Sequence, residues 1–166
     1  LGLVFVFSGV TMLVPCGIAI AEGGRDRVAL LLSAGIAELF GVTLLGLFAH
    51  RKEDLRQRDA ILAVVLSWLG VSALGALPYM LTGVLDPVDA LFESISGFTT
   101  TGASVIAAIE DLPAGLLFWR SLTHWIGGMG ILVLAIAVLP FLGSAGYQLF
   151  RTEAPALEQE RLYPRM

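Results

Sequence analysis

Of the 166 residues in the chain, 57% are hydrophobic and only 14% are charged, which is about half the charged fraction of an average soluble domain. The mean hydropathy of +0.85 indicates an integral membrane protein, and the net charge of -4 excludes a basic surface for nucleic acid. The single cysteine, Cys16, excludes a disulfide framework and a cysteine-rich metal site.

Several long apolar stretches are each close to the roughly twenty residues that a helix needs to cross a bilayer. We therefore predict an all-α integral membrane fold with four transmembrane helices, to which a re-entrant pore helix and filter loop are added below. In chain order the predicted spans are Leu1–Ala21, Val28–Ala49, Ala60–Leu81 and Leu116–Leu142.

Basic residues orient these spans. The linker at 50–59 holds four basic residues, and the tail at 143–166 contains Arg151, Arg161 and Arg165. Segment 82–115 has five acidic residues and no lysine or arginine. Because basic loops stay in the cytoplasm, we expect the linker and tail inside, segment 82–115 outside, and an inside N-terminus.

A short helix is predicted within the outer segment. Asp86 is suited to the N-cap and Pro87 to the first helical position, while Gly97 is a plausible helix stop. The helix between them has about ten residues and a length of roughly 15 Å. That is half the thickness of a hydrocarbon core of about 30 Å, which favours a re-entrant helix.

Three threonines and a glycine, Thr99–Gly102, follow this helix directly. These residues do not favour a helix or a lipid-facing strand. Their backbone carbonyl oxygens can, however, turn toward a common pore axis. Rings of backbone carbonyls replace the hydration shell of a cation in selectivity filters. The negative end of the preceding helix dipole would also point at the cation. The pattern therefore predicts a re-entrant pore loop.

The segment Phe-Glu-Ser-Ile-Ser-Gly-Phe-Thr-Thr-Thr-Gly-Ala at 92–103 resembles the first pore loop of the Trk/Ktr/HKT superfamily of potassium transporters, and is closest to the bacterial TrkH branch. Residues 118–131, which include Trp-Ile-Gly-Gly-Met-Gly, resemble the start of the helix after that loop. Residues 139–153 resemble the exit into the next linker. The resemblance covers essentially the whole chain in order.

The resemblance implies four helix–pore loop–helix repeats around one pore, preceded by two leading helices. This chain is then expected to be the N-terminal portion of a larger subunit. Residues 1–57 would form the two leading helices and a basic cytoplasmic linker, residues 58–142 the first repeat, and residues 143–166 a cytoplasmic linker or tail. The remaining repeats of the same transporter would supply the other pore loops.

The function implied is potassium uptake across the cytoplasmic (inner) membrane by a multi-pass protein that is not an enzyme. Potassium is the transported substrate, and no cofactor is expected in this chain. The expected partners are membrane lipid, a second copy in a homodimer and a cytoplasmic nucleotide-binding regulatory subunit. No nucleic acid is expected to bind.

The resemblance assigns expected roles in the filter to seven residues of the pore loop and the following helix. Thr99, Thr100, Thr101 and Gly102 would line the filter, with K⁺ held by the backbone carbonyls of the last three. Gly97 and Arg120 are expected to support the filter. Glu93 would hydrogen-bond backbone groups behind the loop or pair with Arg120. Both alternatives remain open at this stage.

Other interpretations use other residues. Glu38, midway along the second span, is expected to form a buried hydrogen bond to a neighbouring helix or to relay ions or protons. Ser96-Gly97 with His124 would suit an intramembrane serine protease, although the leading glycine of a Gly-x-Ser-Gly turn is missing. A non-conducting structural helix bundle accounts for the spans but gives the Thr-Thr-Thr-Gly segment no role.

Overall fold

The structure of the chain, a computed structural model, describes residues 1–48 and 57–138. Within these ranges all regular structure is helical, which confirms the predicted all-α class. The packed unit comprises Leu1–Met129, and the rest of the last helix belongs to a second unit. The helices are α1 (Gly2–Ala21), α2 (Arg27–Phe48), α3 (Gln57–Leu81), α4 (Pro87–Phe98) and α5 (Ala114–Val138), with a short 3-10 helix at Ile109–Asp111.

Helices α1, α2 and α3 correspond closely to the first three predicted spans. Within the described residues, Gly2–Ala21, Arg27–Phe48 and Ile61–Leu81 are long and apolar enough to cross a membrane. The fourth predicted span overlaps α5, and its last residues, 139–142, lie outside the described part of the chain. Residues 49–56, which include most of the predicted linker at 50–59, and the tail from 143 lie outside it too. The last three residues of that linker, 57–59, belong to α3.

Large apolar side chains cover the outer faces of these helices. Leu3 and Leu39 are each 71% exposed, and many further leucines, valines and phenylalanines are more than half exposed. A continuous apolar exterior of this kind is unfavourable in water but is what hydrocarbon favours. The chain is therefore a membrane-embedded protein.

Small residues form the contact between α1 and α2. A Cβ at Gly41 would lie 2.7 Å from the Val6 backbone nitrogen and 2.9 Å from the Gly2 carbonyl oxygen. A Cβ at Gly9 would lie 3.1 Å from the Ala34 carbonyl oxygen. Glycine and alanine let helix backbones approach closely where lipid provides no hydrophobic driving force.

Helix α4 starts as predicted. Asp86 is its N-cap, and one carboxylate oxygen accepts the backbone N–H groups of Val88 and Asp89, both at 2.9 Å. Pro87 occupies the first helical position, where a missing N–H has no cost. With 12 residues, α4 is roughly 18 Å long. It is therefore too short to cross a bilayer.

The predicted helix stop at Gly97 is wrong. Helix α4 continues through Phe98, and Thr99 is its C-cap. Gly97 is needed for close packing instead, because a Cβ there would collide with the side chain of Thr123 on α5. One turn further along α5, a Cβ at Gly127 would collide with the Phe98 backbone.

Aromatic residues fill the space between α3, α4 and α5. Trp119 is fully buried and donates its indole N–H to the Gly75 carbonyl oxygen at 3.0 Å. Its ring meets Phe98 edge-on, with centroids 6.2 Å apart. Tyr79 and Leu116 belong to the same buried cluster, which extends to residues of α1 and α2. The cluster holds the C-terminal end of α4 against its neighbours.

We predict that Gly41→Leu destabilises the α1–α2 contact, because the added side chain has no space between the helix backbones. Overpacking of this kind costs about 1–3 kcal/mol. The measurement is the midpoint of thermal unfolding in detergent, followed by tryptophan fluorescence. Gly35→Leu on the same helix is the matched control, since nothing lies within 4 Å of a Cβ at Gly35. Equal midpoints for the two variants would contradict the prediction.

Candidate functional site

The segment after α4 begins with a Schellman turn. The Thr100 N–H donates to the Gly97 carbonyl oxygen at 2.9 Å, and the Thr101 N–H donates to the Ser96 carbonyl oxygen at 3.0 Å. These two bonds satisfy carbonyls that a helix end leaves open. They also place Thr100 in the left-handed region, with φ of 57°.

Thr100 is an unusual residue for this position. The turns after α1 and α3 have glycine at the equivalent position, Gly23 with φ of 65° and Gly83 with φ of 71°. Glycine adopts this conformation without strain, whereas a β-branched residue is a clear outlier there. Residues held in this way cost about 1–3 kcal/mol and cluster at functional sites. Sequence analysis did not identify this strain.

The sign of φ alternates along the threonine segment. Thr99 has φ of -82°, Thr100 and Gly102 have φ of 57° and 78°, and Thr101 is not in the positive region. Alternation between right-handed and left-handed residues turns successive N–H groups to one side of the chain. The carbonyl oxygens, which point opposite to the N–H groups, then face the other side. A fully alternating backbone of this kind presents its carbonyl oxygens in one direction.

The segment is exposed although the helix before it is buried. Residues 99–105 are exposed, whereas Ser96, Gly97 and Phe98 are buried. The Thr99 hydroxyl donates to the Ile95 carbonyl oxygen at 2.7 Å and lies 2.8 Å from the Thr101 hydroxyl. These side chains are thus occupied with the backbone and each other.

The far end of the segment is tied to α4 by two side chains. The Ser96 hydroxyl donates to the Ala103 carbonyl oxygen at 2.5 Å. The Glu93 carboxylate accepts the Ser104 hydroxyl at 3.0 and 3.1 Å and the Val105 N–H at 3.2 Å. Residues 99–105 are therefore fixed at both ends. Ser104 was not identified from the sequence, since a serine in a loop carries no signal of its partner.

Glu93 also forms an ion pair with Arg120 of α5. Arg120 Nε lies 2.6 Å from Glu93 Oε1, and the two side chains are 16% and 0% exposed. Both contacts that the sequence left as alternatives for Glu93 are therefore present. Arginine neutralises a charge that is expensive to leave unpaired in a membrane protein.

Two residues of the protease interpretation have other partners. The Ser96 hydroxyl is directed to Ala103, and His124 Nδ1 lies 2.8 Å from the Arg120 carbonyl oxygen. A serine nucleophile requires a base within hydrogen-bond reach. The geometry does not favour a serine–histidine pair here.

Glu38 lies on the α1–α2 contact and is half-buried. A Cβ at Gly9 would lie 2.9 Å from Glu38 Oε1, so the carboxylate occupies space that the glycine leaves open. The predicted roles of Glu38, a buried hydrogen bond or a relay, stay predictions.

Comparison with known proteins gives one consistent family. The model of the TrkH family, described as cation transport protein, matches residues 31–165. The potassium uptake protein TrkH of Halomonas elongata is 42% identical over 100% of this chain and 35% of its own length. The Escherichia coli K12 TrkH is 40% identical over 99% of the chain and 34% of its own length. The chain therefore spans about a third of the length of these relatives.

A solved structure agrees with the fold. The crystal structure of the potassium transporter TrkH from Vibrio parahaemolyticus superposes with a TM-score of 0.79 at 38% sequence identity. The match covers 87% of this chain and 31% of that protein. The family match and the shared fold lead to the same conclusion: this chain belongs to the TrkH family of cation transport proteins.

Proposed function

We propose that the chain supplies one of four filter loops of a potassium uptake transporter. The observation that carries the proposal is the exposed segment Thr99–Gly102, whose φ values alternate in sign at the C-terminal end of α4. This backbone offers carbonyl oxygens to a cation on one side. The backbone carbonyls of Thr100, Thr101 and Gly102 are the proposed K⁺ ligands, and Thr99 completes the filter segment.

The proposed mechanism uses dipoles rather than full charges. A dehydrated K⁺ exchanges its water for carbonyl oxygens, which bind it weakly enough for onward movement. The negative end of α4 lies next to the same segment and favours a cation. Glu93 stays behind the loop, where Arg120 and the Ser104 hydroxyl occupy its oxygens. No covalent chemistry is involved, so the proposed protein is not an enzyme.

In the proposed membrane arrangement α4 is a re-entrant pore helix, and α1, α2, α3 and α5 are the four transmembrane helices. Re-entrant backbone is tolerated at membrane depth only where protein or a water-filled cavity surrounds it. The buried face of α4 on α3 and α5 and the exposed 99–105 segment fit that requirement. Residues 58–142 then form one repeat, after the leading helices and linker at 1–57 and before the linker or tail at 143–166.

The proposed assembly extends beyond this chain. A carbonyl cage needs oxygens from several sides, and one segment supplies one side. The relatives are about three times longer than this chain, which leaves length for further repeats in the complete transporter. We also propose a homodimer and a cytoplasmic nucleotide-binding regulatory subunit. The relatives' names, which place them in a Trk system, are consistent with additional components.

A purely structural helix bundle is a weaker proposal. Such a protein has no use for a strained, exposed loop that is fixed at both ends by buried polar groups. The family match to cation transport proteins also favours ion movement.

Our first prediction here concerns Gly102. In the full-length transporter, Gly102→Val forces a β-branched residue into the left-handed region and displaces the carbonyls beside it. The strain of about 1–3 kcal/mol is relieved by moving these carbonyls. We expect about a tenfold loss of K⁺ over Na⁺ discrimination, which corresponds to about 1.4 kcal/mol of lost selective binding. Rubidium uptake into proteoliposomes, with and without competing Na⁺, measures the effect.

The matched control is Gly83→Val. Gly83 has a similar φ of 71° in the turn after α3, so this variant carries the same backbone strain away from the proposed filter. We expect it to lower stability while the ion discrimination stays at the wild-type value. Wild-type discrimination in Gly102→Val, or equal losses in both variants, would remove the filter assignment.

The second prediction concerns orientation in the proposed cytoplasmic membrane. With the N-terminus inside, positions 56 and 161 face the cytoplasm and position 110 faces outside. Single cysteines are introduced at Arg56, Glu110 and Arg161 in a Cys16→Ser background. An impermeant maleimide added to intact cells is expected to label only position 110. Labelling of position 56 with protection of position 110 would invert the proposed orientation.

The third prediction concerns sufficiency. Residues 1–166 alone are expected to insert into liposomes but not to conduct K⁺ selectively, because one loop cannot surround a cation. Rubidium flux is measured together with a subunit count by crosslinking. Selective flux from a monomer or dimer would contradict the four-loop proposal. Flux from a tetramer would instead indicate that four copies each donate a 99–102 segment.

A further inference from the structure

The turn between α1 and α2 contains a fully buried carboxylate. Asp26 is 0% exposed, while its neighbours Arg25 and Arg27 are exposed. The proposed filter mechanism does not use this residue. An ionisable side chain buried in a short turn of a membrane protein is costly, so its contacts indicate what it does.

Asp26 caps a helix that is distant in sequence. Its Oδ2 accepts the backbone N–H of Leu116 at 2.9 Å, across 90 residues of chain. Leu116 is the third residue of α5, and first-turn N–H groups have no partner inside their own helix. A carboxylate in this position satisfies the N–H and favours the positive end of the helix dipole.

The same residue also directly precedes α2. The backbone carbonyl of Asp26 accepts the Leu30 N–H at 2.9 Å, so its carboxylate lies near the N-termini of two helices. The second oxygen, Oδ1, is buried and has no hydrogen-bond partner among the described residues. The positive ends of α2 and α5 therefore provide much of the stabilisation that a lone buried carboxylate needs.

The fit around Asp26 is tight. A Cβ at Gly115 would collide with Asp26 Oδ2 and would lie 2.7 Å from Leu30 Cδ1 and 2.8 Å from the Ala19 Cβ. Glycine at this position lets the α1–α2 turn sit directly on the start of α5. The contact is therefore sensitive to changes on either side.

Helix α5 connects this cap to the candidate filter loop. Arg120 is four residues after Leu116, so the two lie on the same face of α5, one turn apart. Arg120 pairs with Glu93, and Glu93 in turn binds Ser104 and Val105. We infer that Asp26 is a positioning residue for the filter loop: it fixes the start of α5 and thereby the height of Arg120 behind the loop. This inference rests on the proposed function.

The test uses the full-length transporter in proteoliposomes, with rubidium uptake measured in the presence and absence of Na⁺. We expect Asp26→Ala and Gly115→Ala to lower K⁺ over Na⁺ discrimination by about fivefold, the size expected when one helix cap is lost. Asp26→Asn keeps an oxygen that can accept the Leu116 N–H, so its effect should be smaller. Gly35→Ala, with nothing within 4 Å of the new Cβ, is the matched control and should match the wild type.

A background variant separates positioning from general stability. In Arg120→Gln, adding Asp26→Ala should cause no further change in ion discrimination, because the effect passes through Arg120. A merely structural cap would instead give additive losses. Wild-type discrimination in the purified Asp26 and Gly115 variants, additivity in the Arg120→Gln background, or loss of folded protein in all three variants would each overturn the inference. Absence of rubidium uptake by the wild type would count against the proposed function itself.

Discussion

The Glu93–Arg120 ion pair is the interaction on which the arrangement around the loop depends. It joins α4 to α5 at a distance of 2.6 Å, and the same carboxylate accepts the Ser104 hydroxyl and the Val105 N–H. Removing one partner of a buried pair costs about 3–5 kcal/mol, since the other charge is left without compensation. The pair therefore does more than neutralise charge: the same carboxylate holds residues 104 and 105 against α4, where the chain returns toward α5.

A second constraint comes from the membrane environment. In lipid no hydrophobic driving force favours the association of helices. Close contact between helices therefore depends on small residues and internal hydrogen bonds. Gly41 serves the α1–α2 contact, while Gly97 and Gly127 bring α4 and α5 together. In each case the neighbouring atom is backbone or a short, buried side chain. The glycines that matter for packing are thus distinct from Gly102, which has open space around it and a positive φ.

Strain and support occur together in the proposed filter segment. Thr100 adopts the left-handed conformation, which glycine adopts at the equivalent position in the turns after α1 and α3. It is kept there by the Schellman bonds at one end, while Ser96 and Glu93 hold the other end. Strained backbone persists only when the surroundings over-determine it. The exposed segment is therefore held at both ends by hydrogen bonds to buried groups of α4, which is favourable for the proposed filter role.

Hydropathy and capping act over a few neighbouring residues, and they were enough to predict the all-α membrane class, the positions of the first three spans and the start of α4. Asp86-Pro87 is sufficient to begin a helix wherever it lies. The Thr-Thr-Thr-Gly motif also located the candidate site. Only the folded chain showed that α4 continues to Phe98, with Thr99 as its C-cap, and that Gly97 is used for close packing against Thr123. It also chose the partners of Glu93 and revealed the cap from Asp26 to Leu116. Those interactions join residues 11 to 90 positions apart, and the residues next to each side chain in sequence do not indicate which distant group it will meet in the folded chain.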